Sequence, residues 1–139
     1  MLNKNYLQAL LAGESRAYGF TIAFWGSGAL LIKANGLPVI GEALLYGLGA
    51  VVGFGVLAAA AFGEASREVE YDNPSYLVLG MVHYLAALVP MLVAHAITTA
   101  SVPATADFFL SGFAVSTTYN LLAVLEEDVT EVIGRFTPV

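Results

Sequence analysis

Residues 37–62 read LPVIGEALLYGLGAVVGFGVLAAAAF, and Glu42 is the one charged residue in that stretch. A helix rises about 1.5 Å per residue, so this run is long enough to cross the roughly 30 Å hydrocarbon core of a bilayer. Its apolar residues are continuous and do not alternate with polar ones, unlike the alternating ten-residue strands of a membrane β-barrel. The stretch therefore predicts a transmembrane helix.

Three further apolar runs of the same character flank this one along the chain. We expect four transmembrane helices, at residues 17–32, 37–62, 76–100 and 104–125. Over residues 1–16, apolar side chains recur at helical spacing among polar ones, which predicts a short N-terminal interfacial helix. The sequence therefore predicts an all-α, integral membrane bundle that forms a single domain over residues 1–139, in contact with the lipid bilayer.

The composition of the whole chain favours the same interpretation. Its hydrophobic fraction is 58%, its charged fraction is 12% and its mean hydropathy is +0.77, whereas a soluble domain is about 25% charged. The chain has no cysteine, which excludes disulfides and thiolate metal sites. Its net charge of −6 argues against nucleic acid as a partner. The acid excess indicates either two acidic loops or the carboxylate-rich surface of a protein from a salt-loving organism.

Basic residues near the ends of the predicted spans set the expected orientation. Four spans put both termini and residues 63–74 on one side of the membrane. The basic residues on that side are Lys4, Arg16, Arg67 and Arg135, and Lys33 alone lies on the other. Because basic residues favour the cytoplasmic side, we expect a multi-pass protein of the cell membrane with its N-terminus and C-terminus in the cytoplasm.

Glycine is frequent in the second run, where Gly49 and Gly53 form a GxxxG pair. Small residues let membrane helices approach closely, which stabilises their association. At 100° per residue, Gly47 and Gly55 lie towards another face of the same helix. We therefore expect this helix at the centre of the bundle, with close contacts either within the chain or to a second copy. Trp25, near the middle of the first run, is expected to pack between helices.

Four ionisable residues interrupt the predicted spans, and such residues are costly enough in a membrane to be functional candidates. Glu42, His95 and Asp107 fall at similar depth near the outer ends of three helices. Together they could relay protons, hold a divalent cation or dock a cationic substrate. The alternative is that each reaches out to water or pairs with Lys33. His83 lies deeper, where a neutral histidine bonded to a neighbouring helix is the simpler expectation.

Sequence motifs of known catalytic or cofactor sites are absent, including those of zinc proteases, phosphate-binding loops, nucleophile elbows and dinucleotide-binding folds. We therefore expect a protein that is not an enzyme and carries no cofactor. The first hypothesis for function is a small bundle that acts by helix packing, as a homo-oligomer or as a subunit beside another membrane protein. The second is a proton or cation transporter or channel that uses Glu42, His95 and Asp107.

Overall fold

The computed structural model describes residues 4–62 and 76–136, with side chains described at residues 17–61, at 85–126 and at scattered later positions. Its four helices are α1 (Lys4–Asn35), α2 (Ile40–Phe62), α3 (Tyr76–Thr99) and α4 (Ala104–Phe136). These ranges contain no strand. Within these ranges, the prediction of an all-helical fold with four helices is confirmed.

Short turns follow α1 and α3. Gly36 ends α1 with a positive φ of 85°, and its N–H donates to the carbonyl of Ile32 across 2.8 Å. Glycine is favoured there because it has no Cβ atom to clash in the left-handed region. Ser101, in the turn before α4, also has a positive φ, of 58°. Each turn leaves the following helix antiparallel to the one before it.

The first and last helices are longer than the core of a bilayer requires. α1 and α4 contain 32 and 33 residues, which correspond to about 48 and 50 Å of helix. In place of a separate N-terminal interfacial helix, the polar N-terminal segment is the beginning of α1 itself. Neither helix contains a proline that would interrupt its backbone hydrogen bonds. The first and fourth apolar runs are thus each part of a longer continuous helix.

The centre of the bundle is occupied by α4, which contacts all three other helices. α1 runs antiparallel to it, since Gly19 lies beside Tyr119 and Asn35 lies beside Asp107. Among the described residues, the backbone of α2 comes close to that of α4 alone. The central position that we expected for the second run is therefore taken by the fourth.

The interior of the bundle is rich in small and polar side chains beside a few large apolar ones such as Leu31 and Phe108, and most large apolar side chains lie on its outside. The buried small and polar residues include Ala23, Ala86, Ala94, Ser27, Ser111, Ser116 and Asp107. By contrast, Leu37 and Ile40 are 87% and 82% exposed, and Trp25 is 76% exposed instead of packing between helices. Soluble helical bundles have the reverse distribution, with leucine and isoleucine in the core.

Two of the helices are long and apolar enough to cross a membrane, at Ile40–Ala61 in α2 and Ala104–Glu126 in α4. The described part of α3 contains a shorter apolar helix, Leu85–Thr99. This result refers to the described residues and rests on length and composition. It is compatible with a membrane location for the chain.

Candidate functional site

The closest helix contact brings the backbone of α2 against that of α4. A Cβ atom at Gly49 would meet the carbonyl oxygen of Phe109, and one at Gly53 would lie 2.8 Å from a second carbonyl oxygen of α4. Across the same contact, a Cβ atom at Gly112 would meet the carbonyl oxygen of Tyr46. Any side chain at these three positions would push the helices apart. The GxxxG pair therefore packs within the chain, against α4.

Gly47 and Gly55 lie on the same helix in different surroundings. A Cβ atom at either position would meet nothing within 4 Å, and the same holds for Gly41 in the first turn of α2. Gly47 borders a cleft between α1 and α2. Close packing between the described helices does not explain the absence of a side chain at these three positions.

Glu42 binds the start of its own helix. Its Oε2 accepts a hydrogen bond from the backbone N–H of Val39 across 3.0 Å, and the carbonyl of Val39 accepts the N–H of Ala43. This is the back-bonded half of a capping box, in which a side chain three residues into the helix satisfies the N–H of the capping residue. The carboxylate therefore stabilises the first turn of α2.

Asp107 is buried near the start of α4, with 1% of its surface exposed. Its Oδ2 accepts a hydrogen bond from Nδ2 of Asn35 across 2.7 Å, and its Oδ1 accepts one from Oγ of Ser111 across 3.2 Å. The partners of this carboxylate are thus neutral groups rather than Lys33. The amino end of a helix also favours negative charge, because its free N–H groups carry partial positive charge. Asp107 links the end of α1 to the beginning of α4.

Glu42, His95 and Asp107 do not form a metal site. Among the described residues, no group of three or more histidine, cysteine, aspartate or glutamate side chains could hold a metal ion. His95 is exposed on α3. His83 belongs to α3, but its side chain lies outside the described residues. Equal depth along three helices is not sufficient for a metal site, because depth does not fix how each helix is rotated about its axis.

Glu126 makes a buried contact that the sequence analysis missed. The residue is 8% exposed, and its Oε1 accepts a hydrogen bond from the backbone N–H of Ala86 on α3 across 3.0 Å. Its place at the start of the acidic segment after the fourth apolar run gives no indication of burial. Helical spacing was the available signal, because Glu126 lies on the same face of α4 as the buried Val115, Tyr119 and Ala123.

Aromatic side chains connect α1 with α2 and α4. The hydroxyl of Tyr46 donates to the carbonyl of Phe24 across 2.5 Å, and the two rings stack with 4.3 Å between centroids. Phe24 also stacks on Phe20, whose ring packs edge to face with that of Tyr119. These aromatic contacts join α1 to α2, whose backbones do not approach each other in the described ranges, and they also join α1 to α4.

No family model, curated protein or solved structure matches this chain. Its function is therefore argued from the described residues. They provide two kinds of feature, namely helix faces with open glycines and carboxylates bound inside the bundle.

Proposed function

We propose that this chain is an integral membrane protein of four spans that acts as a non-enzymatic subunit, assembling with copies of itself or with another membrane protein. The observation that carries the proposal is the distribution of side chains, with alanine, serine and glycine frequent between helices and most of the leucine, isoleucine and valine side chains outside. Membrane helices associate through small residues, because lipid is as apolar as leucine. In water, so much exposed apolar surface would promote aggregation.

The proposed first and third spans lie in α1 and α3. Residues 17–32 of α1 carry no charged side chain, and α3 contains none of the four charged residue types over its 24 residues. A segment of about 20 apolar residues suffices to cross a bilayer. With four crossings, the polar start of α1 and the acidic end of α4 extend on the same side. The excess of basic residues there favours the cytoplasm.

The surface proposed for assembly is one face of α2, the outward stripe, formed by Gly41, Leu44, Leu48 and Gly55. At 100° per residue these positions lie within a sector of about 60°, turned away from α4. Leu44 and Leu48 are 68% and 52% exposed, and both glycines have open space beside them. The spacing of three, four and seven residues is that of a helix–helix seam. Glycines in such a seam allow a second backbone to approach closely.

Oligomer size measured by native mass spectrometry of the full chain in a mild detergent tests this proposal. We expect the parent to contain more than one copy or to retain a second membrane protein. Gly55→Leu should shift it towards the single chain, because a branched side chain would separate the seam. Gly47→Leu is the matched control, since it makes the same exchange at an equally open position outside the outward stripe. A solitary parent chain, or equal effects of both variants, would contradict the proposal.

One observation favours a second function, the passage of protons or cations. Asp107 is a buried carboxylate whose two described partners, Asn35 and Ser111, are neutral, and such a group is costly within a membrane. In this alternative, Asp107 takes up and releases the proton or cation. Proteoliposome flux that is lost in Asp107→Asn and retained in His95→Ala would favour it. Absence of flux in the parent would exclude it.

A further inference from the structure

A cleft of ≈ 660 Å³ lies between α1 and α2 and is floored by α4. This volume is within the range of about 300–1,000 Å³ that is typical of ligand pockets. The cleft begins where the stacked rings of Phe24 and Tyr46 join the two helices, and it follows Ala50 and Phe54 along α2. The backbones of α1 and α2 do not approach each other in the described ranges. The opening is therefore a lateral gap between two helices.

The walls of the cleft are mainly apolar, and part of the space exists because Gly47 has no side chain. A Cβ atom at Gly47 would meet nothing within 4 Å. Two polar side chains, Ser116 and Asn120, lie on the floor, and the amide of Asn120 already donates to the carbonyl of Ser116 across 2.7 Å. An apolar occupant would therefore leave that amide hydrogen-bonded, as a buried polar group requires.

The width of the gap excludes a helix at its closed end. One tyrosine side chain spans it there, since the hydroxyl of Tyr46 on α2 reaches the backbone carbonyl of Phe24 on α1. A helix with its side chains is about 10–12 Å across, which is wider than a single tyrosine side chain. A hydrocarbon chain is narrow enough to enter. The mouth of the cleft is also continuous with exposed apolar side chains, among them Val51, Phe54 and Val124.

We propose that this cleft binds one hydrocarbon chain of a membrane lipid, which enters from the side between α1 and α2. The inference rests on the membrane location proposed above, because only there does the mouth of the cleft open onto lipid. The occupant contacts the aromatic rings of α1, the small residues of α2 and the floor of α4. A side chain at Gly47 would occupy the space that the hydrocarbon chain fills.

Photo-crosslinking of the full chain in nanodiscs tests the proposal. The probe is a phosphatidylcholine with a diazirine at the middle of one acyl chain, and adducts are located by peptide mass spectrometry. We expect adducts to concentrate at cleft residues such as Ala50 and Val124. In Gly47→Leu they should fall about tenfold, the equivalent of about 1.4 kcal/mol of binding free energy. Val56→Leu, the control at an exposed position of the same helix outside both the cleft and the outward stripe, should keep them.

Two results would overturn the proposal. One is labelling spread evenly over exposed positions such as Leu44 and Leu121 and unchanged by Gly47→Leu. The other is a change of oligomer size in Gly47→Leu, which would mean that the cleft receives a second protein chain. Insertion into lipid is measured independently through the fluorescence of Trp25. If the cleft proposal alone is wrong, the fluorescence of Trp25 still reports insertion into lipid. If the proposed membrane location is wrong, the fluorescence reports no insertion.

Discussion

At the scale of single residues, the glycines of α2 serve two different purposes. Gly49 and Gly53 lie against the backbone of α4, where a methyl group has no space. Gly55 lies on the same helix with open space beside it. Close approach of two backbones stabilises the pair through many small dispersion contacts and Cα–H···O contacts. The same residue type therefore closes one face of the helix and leaves another face accessible.

Alanine substitutions at these positions should have opposite effects on stability. Gly49→Ala should lower the free energy of unfolding by about 1–3 kcal/mol, because the new methyl group meets a backbone carbonyl that cannot move aside. Gly55→Ala should leave it unchanged or raise it by up to about 1 kcal/mol, since alanine favours helix more than glycine does. Thermal unfolding in detergent, followed by circular dichroism, measures both. Equal losses in the two variants would argue against the α2–α4 contact.

The sequence predicts some of these residue roles and leaves others open. GxxxG spacing predicts a face for close packing at Gly49 and Gly53, but it carries no information about which helix packs there. The capping role of Glu42 has a sequence signal, because Glu42 lies three positions after Val39, the capping residue of α2. The bond between Asn35 and Asp107 has none, since the two residues are far apart in sequence and only the packing of α1 on α4 joins them.

At the scale of the helices, α3 has an unusual turn before its proline. Pro90 lies inside α3 and has no N–H, so the carbonyl of Ala86 lacks its usual helical partner. The N–H of the same residue donates to Glu126 on α4. Ala86 is therefore the position where α3 loses one helical hydrogen bond and gains one to a neighbouring helix. The acceptor is a carboxyl oxygen of a residue that is itself buried in the bundle.

Removing that acceptor should loosen α3 locally. In Glu126→Ala, we expect the amide of Ala86 to exchange with deuterium about tenfold faster or more, because leaving a buried donor without its acceptor costs about 1–3 kcal/mol. Glu126→Gln keeps an acceptor oxygen and should show a smaller increase. The amide of Ala94, further along α3, serves as the internal reference. Hydrogen exchange that is unchanged at Ala86 in Glu126→Ala would contradict this role.

Hydropathy locates the apolar part of each helix, but it misses the polar extensions at the start of α1 and at the end of α4. α4 begins at Ala104, where the fourth apolar run begins. The polar start of α1 and the acidic end of α4 are equally helical, but a hydropathy run ends where the polar residues start. An apolar run marks side chains whose transfer into lipid is favourable. The helix itself continues until a proline, a capping residue or a turn ends it.

At the scale of the whole molecule, the sequence predicts the helices but not their rotation about their own axes. This is why the expected group of Glu42, His95 and Asp107 does not assemble as a metal site in the described part of the chain. The same uncertainty placed Trp25 inside the bundle, whereas it is exposed. Once the helices are packed, most of the small and polar side chains lie inside and most of the large apolar ones lie outside. This distribution supports the proposal that the outer faces of the helices lie in lipid, which is the central claim about the molecule.

The fluorescence of Trp25 measures that claim directly. It is the one tryptophan of the chain and is 76% exposed on α1. The full chain is reconstituted into phosphatidylcholine vesicles that carry bromine at the middle of the acyl chains, and quenching is compared with that by aqueous iodide. We predict strong quenching by the brominated lipid and little by iodide. Strong quenching by iodide with little effect of the brominated lipid would show that this face meets water, which would contradict the account.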